Sequence, residues 1–146
     1  MLGRLCKWLR LIGYDAVYAN HWPDAQIAAR ARAEGRLVLT RDRQLSRHKA
    51  IHCLLIDSQK LTVQIQQVIT ALGIPAQQMP RCPQCNTLLV NATHEQAKPH
   101  VPQYVWETQS RFTYCPHCDH YYWQGTHWQH VQSTLKQVQE NRKQNL

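Results

Sequence analysis

Leu2, Leu5, Leu9 and Ile12 recur at steps of three and four residues, so residues 2–12 read as an amphipathic helix with one apolar stripe. Gly13 stands where a helix-ending glycine belongs. The short run "DAVYA" (15–19) predicts a strand. "PDAQIAARARAEG" (23–35) predicts a helix with Asp24 at its N-cap and Gly35 just past its end. "RLVLT" (36–40) and "CLLID" (53–57) have the apolar character of buried strands, with a short helical turn over 42–48 between them. Over 61–73, Leu61, Ile65, Val68 and Leu72 mark one face of a further helix. Strands alternating with helices predict an α/β fold with a parallel sheet.

The pattern changes after Pro75. Residues 75–80 read as a linker, which divides the chain into a front unit (1–76) and a back unit (77–146). In the back unit "TLLVNA" (87–92), "YVWET" (104–108) and "RFTY" (111–114) predict short strands in the manner of a ribbon. Trp128, Val131, Leu135 and Val138 then repeat at helical spacing, so a terminal helix is expected, with a frayed polar end over "ENRKQNL".

A hydrophobic content of 43% argues for a folded chain. No run approaches the roughly 18 apolar residues that span a bilayer, and Arg4, Lys7 and Arg10 interrupt the one candidate for a signal-peptide core. No membrane partner is expected, and a cytoplasmic location is the default. The net charge of +8 is uneven: residues 1–80 hold eleven Lys/Arg against five Asp/Glu, and residues 81–146 six against four. A basic front half suggests a polyanionic partner such as nucleic acid.

Cys82-Pro-Gln-Cys85 and Cys115-Pro-His-Cys118 are two C-x-x-C pairs separated by 29 residues. Each offers two thiolates from one tight turn, and two such turns complete a tetrahedral four-sulfur site with zinc as the expected structural metal. Duplication argues against a redox pair, and the compartment against disulfides. Cys6 and Cys53 read as buried small hydrophobes. With four sulfurs on the metal, His117, His120, His127 and His130 read as surface residues or neighbours of the site. Tyr121, Tyr122, Trp123 and Trp128 are read first as packing residues, with base stacking as the alternative.

Asp42 directly follows a predicted strand, and Asp24 opens the helix after another, so both belong at the C-terminal strand edge where open α/β sheets place ligands. Such oxygens suit magnesium or manganese, and both residues are equally good helix caps. Arg4, Lys7 and Arg10 form a stripe that would either track phosphates or face solvent, and Arg41 and Arg43 flank Asp42, where they could hold a phosphate.

"MLGRLCKWLRLIGYD", "GRLVLTRDRQL", "VPQYVWET" and "CPHCDHYYWQGTHW" together resemble the Mut-seven C-terminal RNase domain family, over residues 1 to about 131. The resemblance implies a PIN-like nuclease fold with a C-terminal zinc ribbon, acting on RNA as a metal-dependent ribonuclease with Mg or Mn. It places the aspartate of the family's "TRD" on Asp42 and that of its helix-opening motif on Asp24. In relatives a strand ending in an aspartate precedes the first helix. One strand and one carboxylate are therefore expected to be missing before Met1, through a start assigned too late, and cleavage to be impaired as a result. The rival readings are a non-catalytic RNA-binding zinc-ribbon protein and a structural or interaction module.

Overall fold

The computed structural model describes residues 2–75 and 79–144. Met1 and the centre of the expected linker, residues 76–78, lie outside the described residues. Helix α1 (Gly3–Ile12) buries Leu5, Cys6, Leu9 and Ile12, the predicted stripe with Cys6 added and without Leu2, which precedes the helix and is half-buried. Its end is closed by Gly13, at φ 120°. Helix α2 spans Asp24–Glu34, strand β1 Val38–Thr40, the short α3 Arg43–Ser46, strand β2 Cys53–Leu55, and helix α4 Leu61–Leu72. β1 and β2 pair in parallel, with Val38 opposite Cys53, Leu39 opposite Leu54 and Thr40 opposite Leu55. The mixed α/β class with a small parallel sheet is as expected.

The segment 15–19 is not a strand. Its backbone groups are taken by side chains: the Ala16 amide donates to Asn86 Oδ1 (3.2 Å), and its carbonyl accepts from Arg10 Nε (2.8 Å). The N-cap of α2 is Pro23 rather than Asp24, which makes Asp24 the first helical residue. In α4 the buried face runs through Gln64, Ile65, Val68 and Ile69, and Leu72 is 52% exposed.

In the back half β3 (Val90–Ala92), β4 (Phe112–Cys115) and β5 (His120–Tyr122) form an antiparallel sheet in the order β3-β4-β5. The expected strand 104–108 is a helix, α6 (Gln103–Thr108). Pro102 precedes it with φ −59°, a conformation ready for a helix start, and its carbonyl accepts from the amides of Val105 and Trp106. That coil turns Val105 into a small core with Ala97 and Phe112. Before it, α5 (His94–Ala97) starts on a capping box, with Thr93 and Gln96 exchanging side-chain and backbone hydrogen bonds.

Helix α7 (Thr126–Gln144) stays helical through most of the tail expected to fray. It returns to the front half. Val131 and Val138 are buried in one core with Leu5, Leu9, Ile12, Ile56, Ile65, Val68 and Ile69. Trp128 stacks on Trp8 of α1 at 6.4 Å. Replacing Leu5, 1% exposed at the centre of this core, by Ala should cost about 2–5 kcal/mol in urea denaturation. Leu72→Ala, at a surface position, should cost about 0.5 kcal/mol or less.

Candidate functional site

The four cysteines meet although their pairs lie far apart in sequence. Their sulfurs all lie within 4.8 Å of one another, with Cys82 Sγ 3.9 Å from Cys118 Sγ and Cys85 Sγ 3.5 Å from Cys115 Sγ. Zinc–sulfur bonds of about 2.3 Å in a tetrahedron put sulfurs roughly 3.8 Å apart, so these residues could hold a zinc ion. Two knuckles of the same design present them. Asn86 follows the first pair at φ 69° and returns its amide to Cys82 O (2.8 Å); Asp119 follows the second at φ 58° and returns its amide to Cys115 O (2.9 Å). Asn and Asp accept this left-handed conformation better than most residues. Both were legible as the residue after each C-x-x-C, and sequence reasoning passed over them.

Electrostatics of the cluster favour a cation at its centre. Cys82 and Cys115 are wholly buried. The Cys118 thiol is pushed up to about 12, first by its hydrogen bond with Cys85 and then by burial. Burial works to raise Cys85 too, but hydrogen bonds with Thr87 and the neighbouring cysteines bring it down to about 6. Four adjacent thiols cannot all ionise unaided, and a divalent cation removes that conflict. Tyr122 Oη lies 3.2 Å from Cys82 Sγ, and burial followed by this hydrogen bond raises its phenol. His117 Nδ1 is 3.9 Å from Cys118 Sγ, and His120 and His130 are exposed. The side chain of His127 lies outside the described ones.

The remaining aromatics are largely structural. Tyr121 stacks on His100 (4.8 Å) and meets Tyr114 at a tilt (4.9 Å). Trp123 meets the edge of Phe112 and is the most exposed of the four aromatics singled out in the sequence.

A second candidate region is a cavity of about 690 Å³ between α1, α2 and β1. Its floor is apolar, with Leu5, Leu9, Ile27, Leu39 and Val68 among its lining residues. Asp24 and Asp42 both line it, Asp42 two residues past the end of β1 and Asp24 at the start of α2. Val38 and Thr40 give backbone hydrogen bonds to the β2 side, so by strand alternation Leu39 turns its backbone groups away from β2, toward an edge that no described residue pairs with.

The two aspartates are engaged differently. Asp42 is a true N-cap: its Oδ1 accepts from Gln44 N (2.8 Å) and Leu45 N (3.4 Å). Asp24 makes no cap bond and has no hydrogen-bond or ion-pair partner among the described residues. No third acid completes a tight cluster with them; among the described residues the four cysteines are the sole group of His, Cys, Asp or Glu that close.

The predicted phosphate contacts separate. Arg41 lines the cavity and donates to Ser58 O (3.1 Å). Arg43 points to Asp57 at 3.8 Å, with both side chains largely exposed. Arg4 and Lys7 are exposed on α1 and do not line the cavity. Arg10 is occupied, donating to Ala16 O and to Pro83 O, both at 2.8 Å. Arg30 and Arg36, not singled out from the sequence, also line the cavity, but carboxylates of Glu34 and Asp15 hold them. Asp57 itself, two residues past the end of β2, does not line the cavity.

The model of the Mut7-C RNAse domain family matches residues 1–135. The chain belongs to that family. Among curated proteins and among solved structures, nothing matches it. Membership in an RNase domain family gives the Mut7-C chain a nuclease-type function and points to interaction with RNA. No helix among its described residues is long and apolar enough to cross a membrane.

Proposed function

We propose that this chain is a metal-dependent ribonuclease that cleaves RNA phosphodiesters at the cavity bordered by Asp24 and Asp42, with zinc held by Cys82, Cys85, Cys115 and Cys118 as a purely structural ion in a reducing, cytoplasmic setting. The observation that carries this reading is that two hard carboxylates, Asp24 and Asp42, line one cavity in a chain with an RNase family match. The donor set fits magnesium or manganese: Asp24 has no other partner among the described residues, and the cap bonds of Asp42 involve only Oδ1, which leaves Oδ2 for an ion. Such an ion, when bound, activates water and offsets charge on the phosphodiester.

The chain's own residues would do the rest. Asp24 and Asp42 would fix the ion against the strand end, with Asp42 held rigid by its bonds to α3. Arg41, anchored on Ser58 O and not paired with any carboxylate among the described residues, would hold the phosphate. Arg4 and Lys7, exposed on α1, would lie along the path of the RNA backbone.

Labelled single-stranded RNA should be cut in the presence of manganese, more slowly with magnesium, and not at all with a chelator selective for these ions over tightly held zinc. RNA retained without cleavage under every metal condition would overturn the nuclease reading. The second reading, an RNA-binding zinc-ribbon protein without catalysis, is favoured by the lack of a third carboxylate beside Asp24 and Asp42 among the described residues.

A further inference from the structure

The first cysteine knuckle does not hang free of the front half. Arg81 N donates to Arg10 O (2.7 Å), and Arg10 Nη1 donates to Pro83 O (2.8 Å). Asn86 adds a two-sided clamp: its Oδ1 accepts from the Ala16 amide (3.2 Å), and its Nδ2 donates to Asp15 Oδ1 (2.6 Å). The chemistry fixes which way this amide faces, because the flipped amide would set NH₂ against N–H and oxygen against carboxylate. Asp15 is held from its other side by Arg36 Nη2 (3.0 Å), which lowers its carboxyl against the opposing effect of burial.

The direction of the Asn86 side chain is set by the knuckle. Its left-handed backbone and its amide bond to Cys82 O belong to the turn that brings Cys82 and Cys85 together. The segment it grips, Asp15 to Asn20, forms one wall of the cavity that Asp24 and Asp42 border. This segment has no strand partner, so side chains from the knuckle and from α1 satisfy the backbone of Ala16.

We infer that Asn86 and Arg10 are positioning residues that couple metal loading of the four-cysteine site to the shape of the cavity wall at residues 15–19. The inference rests on zinc occupancy of that site and is independent of whether the cavity cleaves RNA. Zinc closes the knuckle, the closed knuckle aims Asn86, and Asn86 holds Ala16 and Asp15 in place. By linkage the wall must stabilise the bound metal by the same factor.

The test is amide hydrogen exchange at Ala16 in the full chain, with zinc content measured on the same samples. Removing zinc should speed exchange at Ala16 by about tenfold or more, within the range usual for coupled sites. Asn86→Gly keeps the left-handed turn without its side chain, so zinc should stay bound while Ala16 exchanges fast with or without metal. In the reverse direction Asp15→Ala, still folded, should bind zinc several-fold more weakly than the parent chain in equilibrium competition with a chromogenic chelator.

A change at Ala16 of less than about twofold on metal removal would overturn the coupling and leave the metal site standing. Wild-type protection at Ala16 in zinc-loaded Asn86→Gly, or an unaltered zinc affinity in Asp15→Ala, would overturn it equally. A parent chain that holds no zinc would instead overturn the site itself.

Discussion

Purified without chelator or acid, the protein should carry one zinc ion per chain, and Cys115→Ser should reduce that to a small fraction. Cys115 is wholly buried and its sulfur lies 3.5 Å from that of Cys85, so a hydroxyl there removes one of the four thiolate ligands and leaves the site one donor short. Structural zinc sites hold about 10–16 kcal/mol of metal-binding free energy that is also folding free energy. The β3-β4-β5 ribbon, whose local core is Cys82, Leu89 and Cys115, should therefore lose its amide protection. The core of Leu5, Ile65 and Val138 contains no metal ligand and should persist, apart from loosening near residues 15–16. Each thiol protonated in the free protein must release its proton to bind metal, so zinc retention should fall as pH falls. Elemental analysis checks the stoichiometry; less than about half an equivalent in such material would refute the site.

Asp42→Asn should lower metal-dependent RNA cleavage by about two orders of magnitude or more, the scale of one lost electrostatic contact in a transition state. The substitution nearly preserves volume, and the amide oxygen can still accept from Gln44 N and Leu45 N. Asn caps about as well as Asp, so the thermal midpoint should hardly move. This separates the two duties of the residue, since capping needs one oxygen and an ion needs the charge. The comparison is rate per folded molecule, with RNA binding measured alongside. Unchanged cleavage would make Asp42 a cap alone, and the binding reading would take its place.

Periodicity located the helices because a buried stripe must repeat with the helical turn: α1, α4 and α7 all lie where their apolar residues recur. It failed where local chemistry competes with pattern. Val105 and Trp106 look like strand residues, yet Pro102 ahead of them starts a helix. The stretch 15–19 has the composition of a strand but no neighbour to pair with, and long-range side chains satisfy it instead. α5 was legible in Thr93-x-x-Gln96, a capping box, and was passed over. At the site the cysteines announced themselves by spacing. The roles of Arg10 and Asn86 could not be read this way, because each depends on a contact made about 70 positions away along the chain.

The return of α7 to the front core makes the ribbon an insertion between two parts of one hydrophobic unit. This matters for the order of synthesis. Leu5, Leu9 and Ile65 leave the ribosome well before Val131 and Val138, which follow the whole ribbon in the chain. The front core therefore closes only after the ribbon and α7 have been made, and until then the apolar faces of α1 and α4 stand open beside a growing ribbon. Exposed apolar surface of this kind is prone to aggregate, so the nascent chain is most vulnerable until α7 is released.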